Sequence, residues 1–135
     1  MCTLETLARE NKEGSDVAIR LEFSSGRVTA FLEGEIDHHN AAALRTCIDE
    51  AVEQHRPELL RMDFGGVSFM DSSGVGLVMG RAGVMRVLGG RVEAVNLTPQ
   101  AFKVMQLANL DQLAVIRQKA GQKAPQRKEG QYESE

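Results

Sequence analysis

The chain predicts an α/β fold in which a mixed, mostly parallel sheet opens with an antiparallel hairpin and continues through crossover helices. Two observations carry this. Residues Val17–Phe23 and Arg27–Ile36 read as two strands separated only by Ser24-Ser25-Gly26, and such a tight connection makes antiparallel neighbours. From Asp37 onward, segments with helical apolar spacing alternate with short apolar runs as far as Ile116, the signature of parallel strands joined by helices.

The elements follow in order. Residues 1–16 are charged and turn-rich, with only Leu4, Leu7 and Ala8 as apolar spacing, and read as a flexible leader. After the hairpin, Asp37–Asn40 offers several N-caps, and Leu44, Cys47, Ile48, Ala51 and Val52 mark the inner face of a first helix that stops before Pro57. Leu59–Phe64 is a third strand, broken by Gly65-Gly66. A second helix spans Ser72 to Leu88 and ends at Gly89-Gly90; it is apolar over much of its circumference, which predicts burial on more than one side. Its glycines, Gly74, Gly76, Gly80 and Gly83, each weaken a helix by up to about 1 kcal/mol, which predicts close approach of another backbone, either the sheet or a bound partner.

Arg91–Val95 is a fourth strand. Thr98 and Pro99 open a third helix with Phe102, Met105 and Leu107 turned inward, and Asn109 ends it. Leu113–Ile116 is a last short strand. The domain is thus placed at 17–117, and the polar stretch 118–135 reads as a disordered tail.

Composition narrows the function. A chain of 135 residues makes one ordinary domain able to bury a core without metals or disulfides. A net charge of −3 argues against nucleic-acid binding. No apolar run is long enough to span a bilayer, and the N-terminus lacks a secretory pattern, so the chain reads as cytoplasmic. Cys2 and Cys47 belong to no CxxC or ligand array, and Cys47 sits on the apolar face of its helix.

The chemistry concentrates at Asp71-Ser72-Ser73-Gly74, where a strand gives way to a glycine-containing helix. That order puts Ser72 at a helix N-terminus, whose unsatisfied N–H groups and dipole favour a negative charge such as a phosphoryl group. Asp71, Ser72 and Ser73 are equally ordinary capping residues. A Ser72–His38/His39–Asp71 triad lacks Gly-x-Ser-x-Gly and an oxyanion hole, and Gly74, Gly76 and Gly80 lack the lysine of a phosphate-binding loop. Asp37, His38 and His39 do not form a metal-ligand array. No catalytic residue and no cofactor is expected.

Gly34-Glu35-Ile36-Asp37-His38-His39 followed by a helix, and Val67-Ser68-Phe69-Met70-Asp71-Ser72-Ser73-Gly74-Val75-Gly76 after a strand, together resemble the bacterial anti-sigma-factor antagonists. These are single STAS domains, and the sporulation-type antagonists are the most similar. The resemblance covers about Val17 to Arg117 and implies the STAS fold. It implies that Ser72 is phosphorylated by an anti-sigma factor that is itself a serine kinase. It further implies that Glu35, Asp37, His38, Asp71, Ser72, Ser73 and Gly74 contribute to the partner-binding face, and that a serine phosphatase resets the switch. Two alternatives remain: a STAS module of a stress-signalling complex or lipid-transport system, or a nucleotide or small-molecule sensor. Family members often close with an apolar C-terminal helix, and residues 118–135 lack a hydrophobic face for it.

Overall fold

Backbone pairing in the computed structural model, which describes residues 4–10 and 16–120, gives one six-stranded sheet in the order β1-β2-β3-β4-β5-β6. The strands are β1 (Leu4–Glu10), β2 (Asp16–Ser24), β3 (Arg27–Ile36), β4 (Leu59–Met70), β5 (Arg91–Leu97) and β6 (Val115–Gln118). The first three form an antiparallel meander, and β3 to β6 are parallel. Helices α1 (Ala41–His55), α2 (Ser72–Val87) and α3 (Pro99–Leu107) make the crossovers.

The predicted hairpin is β2–β3, turning at Gly26 with φ of +72°. Alternation sorts each strand into a buried and an open side. Leu60, Met62 and Phe64 of β4 are buried with Ile19, Leu21, Val28, Ala30, Leu32, Val92 and Ala94, against Leu44, Ile48 and Val52 of α1 and Leu77, Val78 and Met85 of α2. Arg61 and Asp63 take the alternate positions. There Arg61 Nε meets Glu93 Oε1 at 3.0 Å, and Asp63 accepts from Asn96 Nδ2 and from the Gly65 N–H. Cys47 is buried on α1, as its spacing predicts.

Several boundaries differ from the sequence reading. The leader contains a strand: Leu4–Glu10 pairs with β2 from Leu4↔Glu22 to Glu10↔Asp16. Its i, i+3, i+4 apolar spacing carries no sheet signal, and the exposed edge of β2 supplies the order. Gly65-Gly66 do not break β4. Residues 64 and 65 lie between the pairs Phe31↔Asp63 and Glu33↔Gly66, so the glycines form a bulge and the strand continues to Met70. A Cβ at Gly66 would stand 2.7 Å from Glu33 Cγ and 3.1 Å from the Leu32 carbonyl oxygen, which explains the residue.

α2 buries one side only; Val87 is 84% exposed and Met79 and Leu88 are also open. No atom outside the helix lies within 4 Å of a Cβ built at Gly76, Gly80 or Gly83, so the sheet does not approach them. Leu107 is exposed, unlike Met105. A 3-10 turn at Leu110–Gln112 follows Asn109, which has φ of +63°, and buries Leu110. This shifts the last strand to Val115–Gln118, and Lys119 N–H donates to the Leu97 carbonyl. The expected disorder and missing helix beyond that point concern residues 121–135, outside the described residues.

Candidate functional site

β3 and β4 run parallel and in register at their carboxyl ends, with Glu35 beside Phe69 and Ile36 beside Met70. This pairing brings the two sequence motifs to one end of the sheet. The chain then leaves β3 through residues 37–40 and leaves β4 through Asp71. Crevices outside the carboxyl ends of parallel strands are the usual location of sites in α/β proteins.

The loop after β3 is built by Asp37 and Asn40. Asp37 Oδ1 accepts from the N–H groups of His39 at 2.9 Å and Asn40 at 3.2 Å. Asn40, 3% exposed, answers with Oδ1 accepting from the Asp37 N–H and Nδ2 donating to the Glu35 carbonyl. Asn40 thus fastens the loop to the end of β3 and is not a side-chain cap of α1. Glu35 and His38 are exposed, and the rings of His38 and His39 lie 4.2 Å apart.

Asp71 is the N-cap of α2. Its Oδ1 accepts from the Ser73 N–H at 2.8 Å and from the Ser73 hydroxyl. These two bonds, hydroxyl first, hold the Asp71 carboxyl below its ordinary pKa, with desolvation acting the other way; Asp37 raises it and His38 lowers it through their charges. Both loop residues therefore lie within electrostatic reach of Asp71. Ser73 is committed to the cap. Ser72 is exposed, and among the described residues its hydroxyl makes no hydrogen bond. The two adjacent serines are thereby made unequal.

Gly74 is buried, and a Cβ there would sit 2.1 Å from Met70 Sδ and 2.2 Å from its Cγ. The glycine lets the Met70 side chain pass beneath the first turn of α2. The seven residues singled out from sequence therefore gather at one end of the sheet. The reading missed Asn40 as organiser, although Asp37-x-x-Asn40 carried that signal, and it missed the contribution of α3. Phe64, Val67, Phe69, Met70 and Val75 face Thr98, Ala101 and Val104 across a cleft of about 310 Å³ with Asp71 and Ser72 at its mouth. No lysine or arginine lines it.

Among the described residues no group of three His, Cys, Asp or Glu could hold a metal, and no helix is long and apolar enough to cross a membrane.

Residues 17–117 match the family described as "Mlab, STAS domain". The chain is 40% identical over 79 residues to the anti-sigma F factor antagonist of Lysinibacillus sphaericus, covering 58% of this chain and 68% of that one. It is 28% identical over 101 residues to the anti-sigma F factor antagonist of Paenibacillus polymyxa, covering 75% and 86%. Among solved structures, unphosphorylated SpoIIAA, an anti-sigma factor antagonist, superposes with a TM-score of 0.64 at 35% identity, over 73% of this chain and 86% of that one. The phosphorylated form of the Bacillus cell fate determinant SpoIIAA gives 0.60, over 73% and 89%.

Proposed function

Because this chain belongs to the STAS-domain family of anti-sigma factor antagonists, a regulatory and not a catalytic family, we propose that its partner switching is controlled by phosphorylation of Ser72. Unmodified, the protein binds an anti-sigma factor that is also a serine kinase and so releases a sigma factor. Phosphorylation of Ser72 by that kinase weakens the complex, and a serine phosphatase restores it.

The observation that carries this reading is the inequality of the two hydroxyls. Ser73 is held on Asp71, while Ser72 is exposed at the first position of α2. The existence of a phosphorylated form of a 35% identical relative supports it. Glu35, Asp37, His38 and Gly74 belong to the same end of the molecule and complete the proposed docking face.

A phosphoryl group adds roughly −1.5 to −2 charges. One unfavourable unit-charge contact at about 4 Å and an effective dielectric near 20 costs on the order of 4 kcal/mol. That corresponds to roughly three orders of magnitude in affinity. The N-terminus of α2 accommodates the charge, and no basic side chain in the adjoining cleft neutralises it. The partner therefore meets it undiminished.

Incubation with the cognate kinase and ATP tests the reading: peptide mass spectrometry is expected to find one phosphate, on Ser72. Label on Ser73 overturns the residue assignment, and equal partner affinity of the two forms overturns the switch. The cleft beside Ser72 favours a second reading, a nucleotide or small-molecule sensor. Saturable heat on titration with ATP or GTP, in the absence of any partner, would select it.

A further inference from the structure

The opposite end of α2 carries a feature that the switch does not use. Val87 is 84% exposed and Leu88 38% exposed where the helix ends. Together with Val52 and Val84 they line a groove of about 360 Å³ between the last turns of α1 and α2. The apolar side chains stand on one side of it, and Glu53 and Arg56 stand on the α1 side. Asp49, which also borders the groove, is already occupied: its Oδ1 lies 2.9 Å from Nε of the buried Arg81. Glu53 and Arg56 are exposed, and Arg56 is fixed by its Nε donating to the Glu53 carbonyl at 3.2 Å.

The outward rim thus has one acid and one base, three residues apart on α1, beside an apolar pair. A wholly basic or wholly acidic partner would meet a like charge in this rim. A surface with the same acid, base and apolar pair, turned by a two-fold rotation, meets none. Isologous contacts require that self-complementarity. We infer that the α1–α2 groove is the contact surface for a second copy of this chain, with Val87 and Leu88 packed against their counterparts and Glu53 of each copy paired with Arg56 of the other.

The contact lies about 22 Å along α2 from Ser72, at 1.5 Å of rise per residue over the helix Ser72–Val87. Dimerisation there leaves the phosphorylatable end open, and the two ends work independently.

Sedimentation equilibrium of the full chain, over a concentration series reaching the millimolar range, tests the inference. The expected result is a reversible monomer–dimer equilibrium that Ser72→Asp leaves unchanged. Val87→Asp should weaken the dimer at least tenfold while the melting temperature stays within a few degrees, because the side chain it replaces is exposed. Glu53→Arg and Arg56→Glu should each weaken it, and the double variant should recover most of the loss. A wild type that is monomeric throughout, a dimer indifferent to Val87→Asp, or a charge swap that recovers nothing overturns the proposal. These outcomes are read without any kinase, so they stand or fall separately from the Ser72 switch.

Discussion

The Asp71 N–H donates to the Ile36 carbonyl at 3.1 Å, tying the residue that caps α2 to the residue that ends β3. The two loops of the candidate site are therefore joined through backbone, and a side-chain substitution in one loop leaves the link between them in place.

Ser72 substitutions separate charge from bulk. Ser72→Ala should abolish labelling and keep tight partner binding, since it removes the acceptor without adding charge. Ser72→Asp should weaken binding, but less than phosphorylation does, because a carboxylate carries one charge against nearly two. Ser73→Ala should still be labelled at Ser72. Calorimetric affinities for the three proteins check the order.

Asp71 gives the fold an acid-sensitive contribution. Its pKa in the folded state is lowered from the unfolded carboxylate value near 3.9. The stabilisation is complete above that unfolded value and is lost as pH falls through the lower, folded one. Asp71→Ala should cost about 1 kcal/mol at neutral pH, as loss of an N-cap does. Denaturant melts at neutral pH and at about pH 3 should show the difference from wild type shrinking in acid.

The glycines of α2 should respond with opposite signs. Gly74→Ala forces Met70 from its place and should destabilise by roughly 1–3 kcal/mol, as overpacking does. Gly83→Ala and Gly76→Ala meet open space and should each stabilise by up to about 1 kcal/mol. If Gly76 admits the partner beside Ser72, Gly76→Ala should raise the melting temperature and lower partner affinity together.

Within the loop after β3, fold and binding should part company. Asn40→Ala removes a buried clasp and leaves the Glu35 carbonyl without its amide donor, a loss of about 1–3 kcal/mol. His38→Ala touches an exposed ring and should leave the melting curve unchanged while weakening the partner complex. Thermal melts and binding on the same preparations check both.

The buried Arg81 should tolerate exchange better than abandonment. Its guanidinium is desolvated between α1 and α2, which lowers its pKa, and Asp49 is the opposing charge. Asp49→Ala should destabilise more than Asp49→Ala combined with Arg81→Met, because the double variant leaves no isolated cation in the core. A double-mutant cycle on unfolding free energies measures this.

Local patterns made most of the architecture legible. β2 and β3 are visible as strands either side of Ser24-Ser25-Gly26, α1 in the Leu44–Val52 spacing, and α3 in Thr98-Pro99. What remained hidden depends on pairing between distant segments. Gly65-Gly66 look like a stop until β3 is placed beside them and the extra residue becomes a bulge. Leu4–Glu10 is ordered by the edge of β2 and not by its own composition. At the site, the cap and Ser72 are legible because capping is local. The nearness of Glu35 to Phe69, and the cleft wall supplied by α3, follow only from sheet register and helix packing.

Each strand's neighbours in the sheet are also its neighbours along the chain. Every pairing closes at modest sequence separation, the condition associated with rapid folding. A chain emerging from the ribosome can zip β2, β3 and β4 together before β5 has been made, since domains form as synthesis proceeds. The end of the sheet that carries both motifs is therefore laid down early, and β6 with the segments after it completes an edge of a scaffold already aligned.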